Sequence, residues 1–335
     1  MEQPAVAPRH DCSNQTHMGE LEMMKKTTSA LAIAALLGTG AATAATFQID
    51  DNTTFSVAGD VEFSFVDEEG STNTRISDEG TEVNFSGEHT SDNGLTTFFN
   101  LEVSGFDITG DITDTNDSEG KATGNDGDLN SDDDGFVGVR GAFGSVAFGN
   151  VTTAFDALAD ITDVMEDAGV STKATGARAQ NVQYQSPEFN GVSFVVDTQI
   201  AADGDDAETQ SEETSVRVDV DLDMATVMLG YDTAKGTSGI GATTSLSGVD
   251  LGAKFQTGSD NNLDVIGVTA GTTLAGLNLY GVFNRVDDNG DTANEVAAGV
   301  SYPVADNLVV HAEMSQLDAA NDVGDTFAVG AHLKF

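Results

Sequence analysis

Residues 151–176 of this 335-residue chain contain five carboxylates whose spacing indicates a chemical role. Apolar side chains stand between them, among them Leu158, Ile161 and Val164. A fully solvated loop has no need of such residues, whereas a loop folded against a wall can bury them and turn its acids toward water. Carboxylates grouped around a narrow aqueous passage favour cations and oppose anions. The five acids are Asp156, Asp160, Asp163, Glu166 and Asp167.

Catalytic groups are scarce. The three histidines that follow residue 44 are His89, His311 and His332, and no G-x-S-x-G or H-E-x-x-H motif occurs. His311 and His332 fall on the polar faces of late strands, far in sequence from a nucleophile motif. We therefore predict that the chain is not an enzyme, with Asp/His protease chemistry as the weaker alternative.

No cofactor or resident metal is expected. The segment 106–134 is rich in Asp, and carboxylate oxygens are the ligands that calcium prefers. The calcium-loop pattern nevertheless fails because no Glu follows Gly135 at the required spacing, so we expect a solvated extracellular loop. The single cysteine, Cys12, excludes a disulfide framework.

The charge balance excludes one class of partner. The chain has 13 Lys+Arg against 56 Asp+Glu, a formal net charge of −43. Such a chain repels nucleic acids. Acidity this strong favours a protein that works at high salt, where screening weakens its self-repulsion.

The N-terminus has the pattern of a secretory signal. Lys25 and Lys26 precede an apolar run at 30–37, and small residues follow as far as Ala44. The run is too short to span about 30 Å of hydrocarbon, and its flanks are those of a cleaved signal peptide. We predict a non-native upstream extension at 1–23, a signal peptide at 24–44 and one domain at 45–335.

That domain alternates with a period of two. Phe63 and Phe65 share one face of a strand whose other face carries Glu62 and Ser64. A soluble sandwich and a membrane barrel both show this alternation, so the pattern alone does not separate them. We predict sixteen strands, at 53–66, 81–90, 94–104, 135–141, 144–150, 179–187, 191–200, 214–222, 224–232, 239–247, 249–257, 263–273, 276–286, 293–302, 307–316 and 326–335.

The last strand favours the membrane barrel. Its outer residues alternate up to the final Phe335. It resembles the C-terminal recognition strand of bacterial outer-membrane proteins, which ends in an aromatic residue. We therefore predict an all-β transmembrane antiparallel barrel in which Phe335 is a signal to the barrel-assembly machinery. Sixteen strands leave an aqueous channel, whereas eight would be filled by side chains.

Three blocks of sequence resemble the general, non-specific porins of Gram-negative outer membranes. Residues 136–149 are similar to the hairpin before the family's third loop, residues 178–191 to the segment after it, and residues 83–88 to its second strand. The resemblance runs through most of the chain after residue 44. It implies a homotrimer in contact with outer-membrane lipid and lipopolysaccharide, and an inward-folded third loop that forms a constriction.

The same resemblance assigns charges to that constriction. Asp163 and either Glu166 or Asp167 match the family's loop acids, whereas Asp156 and Asp160 could equally sit at loop turns. Arg178 matches a wall arginine, while Glu82 and Asn150 stand where the family often has arginine. The expected pore-wall residues are Glu82, Arg140, Arg178 and Arg217.

We therefore expect a channel for passive diffusion of ions and small hydrophilic solutes, with a preference for cations. A substrate-specific channel and a structural or adhesin barrel without an open pore are the alternatives.

Overall fold

The computed structural model describes residues 44–78, 80–104, 135–168, 177–200, 213–233, 236–258, 263–288, 290–319 and 323–335. The predicted extension, the predicted signal peptide apart from Ala44, and the Asp-rich segment 106–134 lie outside these ranges. Neither helical turn in the described part of the chain is long or apolar enough to cross a membrane.

Antiparallel strands make up most of the described residues. They are β1 (Ala45–Asp50), β2 (Thr53–Glu68), β3 (Arg75–Ser77), β4 (Glu82–Thr90), β5 (Thr96–Val103), β6 (Gly135–Gly141), β7 (Gly144–Thr152), β8 (Ala177–Gln185), β9 (Val192–Gln199), β10 (Thr214–Asp221), β11 (Ala225–Asp232), β12 (Thr237–Leu246), β13 (Val249–Gly258), β14 (Leu263–Leu274), β15 (Leu277–Asp288), β16 (Asp291–Ala305), β17 (Leu308–Ala319) and β18 (Val323–Lys334). Two single turns of 3-10 helix lie at Asp156–Leu158 and Asp160–Thr162.

The sheet closes on itself with sixteen strand positions, which confirms the predicted barrel. The first strand of the ring, β2, pairs along one edge with β18 and β1, which lie end to end. Its other edge pairs with β3 and β4, again end to end. The short strands β1 and β3 were not predicted, and they complete existing positions rather than adding new ones.

The alternation predicted from sequence sorts side chains between the two faces. On β2, Glu62 and Ser64 are buried, whereas Phe63 and Phe65 are exposed. On β13, Lys254 and its inward neighbours are covered while Phe255 is exposed. The outer face is therefore an apolar band, as a barrel in lipid requires.

Short turns join the strands at one end of the barrel. Two of them, Ser247-Gly248 and Ala275-Gly276, hold both residues at positive φ. This is the turn geometry whose twist matches a two-residue hairpin. The segment after β7 leaves from the opposite end and enters the interior.

Candidate functional site

The described part of the loop between β7 and β8, residues 153–168, lies against the inner wall of the barrel; we call it the inner loop. Its start is held by β9 and β10. The Ala154 amide donates to Asp197 Oδ1 at 2.5 Å, and the Ala154 carbonyl accepts from Arg217 Nη1 at 3.0 Å. Asn181 Nδ2 also donates to Asp197, at 3.1 Å. The strands thus fix where the loop turns inward.

The middle of the inner loop rests on glycines of the barrel wall. Phe155, Leu158 and Ile161 are almost fully buried and pack together. A Cβ added at Gly241 would stand 2.2 Å from Ile161 Cδ1, and one at Gly230 would stand 2.5 Å from Leu158 Cδ1. The glycines facing these loop side chains are Gly230, Gly239, Gly241 and Gly252. Because they lack side chains, the loop can lie close to the wall.

Polar groups of β13 and β14 hold the backbone of the same stretch. Lys254 Nζ donates to the Ala159 carbonyl at 3.3 Å, and Thr269 Oγ1 donates to the Ile161 carbonyl at 3.0 Å. Lys254 is only 3% exposed, so its ammonium is taken up by the loop. The predicted burial of the apolar loop residues is confirmed, and these bonds explain its position.

One carboxylate anchors the end of the inner loop. Glu313 on β17 accepts the backbone amides of Glu166, Asp167 and Ala168 at 2.9–3.1 Å. Tyr280 Oη donates to the same carboxylate at 2.8 Å. Hydrogen bonds to an ionised acceptor are among the stronger ones in proteins, so Glu313 holds the end of the loop firmly on the wall.

The two late histidines meet the loop acids. His311 Nε2 contacts Asp167 Oδ2 at 2.5 Å, and Ser64 Oγ donates to the same oxygen at 2.5 Å. Burial by itself would raise the pKa of Asp167, but the hydrogen bonds from His311 and Ser64 outweigh it and lower that pKa. His332 contacts Glu62 and lies 3.7 Å from Glu166 Oε2.

The remaining loop acids keep contact with water. Asp160 and Asp163 are exposed and Asp156 is half-buried. Burial, with the carboxylates of Asp156 and Asp163, raises the pKa of Asp160 to about 6, against the opposing charges of Arg217 and Lys254. Asp160 is exposed to solvent, so its burial is partial. The surrounding walls displace part of the water around its carboxylate without enclosing it. Burial also raises the pKa of Asp163, and Lys254 opposes that rise.

The four predicted wall residues lie on four different strands. Arg140, the second-last residue of β6, pairs with Glu88 and lies over the Phe98 ring. Glu82 faces Asp60 in the register of β4 with β2. Arg178 belongs to β8, but its side chain is outside the described part of the structure. Arg217 contacts the inner loop through its hydrogen bond to the Ala154 carbonyl, and it also binds Asp219 at 2.9 Å.

Sequence reasoning missed the groups that hold the loop. Lys254 and Glu313 read as ordinary polar positions of alternating strands, and they lie 95 and 147 residues from the loop atoms they bind. The sequence indicated only that both residues lie on the inward-facing side of their strands. Nothing in the sequence says which inward residue meets which part of the loop.

One known protein family matches this sequence across most of the chain. The sequence model of that family, described as Gram-negative porin, matches residues 27–322. A monosaccharide porin of a Halomonas species and the major outer membrane protein of Halomonas elongata are each 30% identical over 199 residues, 54% of this chain and 50% of the relative. The chain thus matches about half the length of these curated relatives.

Solved barrels show the same fold at low sequence identity. A loop-deletion mutant of OmpT from Vibrio cholerae superposes with a TM-score of 0.67 at 16% identity, covering 85% of this chain and 100% of the other. The anion-selective porin of Comamonas acidovorans gives 0.65 at 15%, with 84% and 100% coverage. In-vitro folded OmpT from Vibrio cholerae, in a trimer form, gives 0.66 at 15%, with 85% and 100% coverage.

Proposed function

We propose that this chain forms a water-filled channel for passive diffusion of ions and small hydrophilic solutes. The chain belongs to the Gram-negative porin family and is a closed β-barrel of the outer membrane. A barrel of sixteen strands is wide enough to leave an aqueous lumen. The observation that carries the proposal is the two-sided inner loop. Its apolar residues rest on the wall, while Asp160 and Asp163 remain exposed to water.

The charges of the inner loop support a preference for cations. Asp156, Asp160 and Asp163 face water, whereas the nearby Arg217 and Lys254 direct hydrogen bonds at loop carbonyls. Fold does not decide the sign of selectivity, since an anion-selective porin shares this fold. The sign follows from the charges that line the passage.

A planar bilayer tests the channel and its selectivity together. We expect stable conductance steps in groups of three, because a related barrel is known in a trimer form and we propose a homotrimer here. In a gradient of about 10 mM against about 100 mM KCl, the reversal potential should show cation preference, and near 1 M salt, where the Debye length is about 3 Å, the preference should shrink.

Matched variants attribute that preference to the loop. Asp160→Asn and Asp163→Asn should shift the reversal potential toward anions. Asp92→Asn should not, since Asp92 lies in the short turn after β4. Anion preference of the unmodified protein in dilute salt would refute the assignment, and absence of any conductance would favour a structural or adhesin barrel.

A substrate-specific channel is the second candidate. The observation in its favour is the 30% identity to a protein named monosaccharide porin. A current that glucose blocks in a saturable way would support this candidate, whereas uptake that depends only on solute size would support general diffusion.

A further inference from the structure

Three potential metal ligands converge where the inner loop meets the seam of the barrel, which is the pairing of β2 with β18. Glu62 on β2 and His332 on β18 face each other directly in the strand register. Glu166 reaches them from the inner loop. One donor atom from each residue lies within 4.8 Å of the other two.

The imidazole of His332 is aimed into this group. His332 is only 5% exposed, and its Nε2 makes no hydrogen bond although it touches Glu62. Its other nitrogen, Nδ1, lies 3.7 Å from Asp60 Oδ2. A carboxylate beside the second nitrogen is the usual setting of a metal-bound histidine, because it orients the ring and fixes the tautomer.

Negative charge is in excess around the three ligands. Asp60 lies beside His332, and Glu62 and Glu313 repel the carboxylate of Glu166, while His332 and His311 attract it. The cationic side chain in contact with Asp60 is Lys334, at 3.5 Å. A divalent cation has twice the charge of an imidazolium, so it attracts these carboxylates more strongly, and the attraction grows as the local dielectric constant falls.

We propose that Glu62, Glu166 and His332 bind a divalent transition-metal ion of the zinc class. Zn²⁺ binds imidazole nitrogen and carboxylate oxygen, and open zinc sites have three protein ligands with water in the fourth position. Ligand atoms around tetrahedral Zn²⁺ lie about 3.3 Å apart. The 3.7 Å between His332 Nε2 and Glu166 Oε2 is close to this separation, while Glu62 must draw back slightly. The bound ion would join the inner loop to the β2–β18 seam.

Cobalt provides the direct test on the refolded full-length protein. We expect one Co²⁺ per chain, with the visible absorption of a four-coordinate ion, displaced by Zn²⁺ but not by excess Ca²⁺. His332→Gln and Glu166→Gln should each weaken binding at least tenfold, since even loss of an outer-shell partner costs about tenfold to hundredfold. His89→Gln, which alters an exposed histidine of β4, should leave binding unchanged.

Glu166→Gln keeps the test valid if the His332 variant fails to fold, because Glu166 lies on the loop and not in a strand. No Co²⁺ spectrum with the unmodified protein, or equal binding by the Glu166→Gln variant, would overturn the proposal. The readout is metal binding and not current. A protein that binds Co²⁺ but does not conduct would therefore contradict only the channel proposal.

Discussion

At the scale of single residues, the inner loop shows how position decides what a carboxyl group does. Asp167 accepts from His311 and Ser64, and its pKa is lowered. Asp160, seven residues earlier, has a raised pKa because burial and the like charges near it disfavour its ionised form. The first acid is therefore a structural group, while the second is one whose charge can change within an ordinary range of pH.

Asp160 predicts a pH-dependent selectivity. Its pKa of about 6 means that the carboxylate is charged at neutral pH and becomes neutral as the pH falls through this value. Asp156 and Asp163 repel its carboxylate, while Arg217 and Lys254 attract it. Protonation of Asp160 removes one negative charge from this group of acids. We expect the cation preference to fall between about pH 8 and pH 5, well above the ordinary aspartate range near pH 4.

Reversal potentials measured across that pH range check this prediction. The Asp160→Asn variant should lose the pH-dependent part, whereas Asp92→Asn should retain it. A cation preference that stays constant down to pH 5 would show that Asp160 does not contribute to it.

At the scale of elements, the inner loop is held by different means along its length. The start and the middle combine hydrogen bonds with apolar contacts on glycine-lined strands. The end depends on the carboxylate of Glu313, with Val164 and Ala168 packed on Val282 of β15. Each part uses residues that the barrel presents inward because of strand phase.

Glu313→Gln should loosen the end of the inner loop. The substitution replaces an ionised acceptor of three backbone amides by a neutral amide group. Hydrogen bonds to charged groups contribute about 1.5–3 kcal/mol, so amide hydrogen exchange at 166–168 should accelerate by roughly tenfold to a hundredfold. Mass spectrometry of peptides from this stretch measures the exchange.

Glu188→Gln is the matched control, because Glu188 is exposed in the turn after β8. It should leave exchange in the inner loop unchanged. If the Glu313→Gln variant exchanged at the same rate as the parent, the other contacts would be sufficient to hold the loop end.

At the scale of the whole molecule, the barrel depends on the seam between β2 and β18. The final residue, Phe335, exchanges two backbone hydrogen bonds with Gly59, of 2.8 and 2.9 Å. Its ring covers this glycine, since a Cβ at Gly59 would lie 2.3 Å from Phe335 Cζ. The last residue therefore contributes to barrel closure, and its role in recognition by the assembly machinery stays a prediction.

Deletion of Phe335 should weaken this seam. Two backbone hydrogen bonds are lost with it, worth about 1–3 kcal/mol together, in addition to the contact of the ring with Gly59. The folded fraction after refolding, measured by heat-modifiable gel mobility in a urea series, should fall at a lower urea concentration. Phe327→Ala removes an exposed phenylalanine of the same strand without removing a backbone bond, and it should have a smaller effect.

The sequence by itself determined the barrel and its two faces. Alternation has a period of two, so every strand assigned correctly also assigns its inward and outward residues. The sixteen predicted positions are found with ends within a few residues, β6 without any shift. The short strands β1 and β3 escaped because six- and three-residue segments show little periodicity.

Only the tertiary structure decided how the loop acids are used. Asp167 is anchored to the barrel wall, whereas Asp160 is open to water, because different wall residues stand opposite these two aspartates. Lys254, Glu313 and His332 come to the loop from strands far along the chain. Alternation tells which side chains point inward, but closure of the ring decides which of them meet.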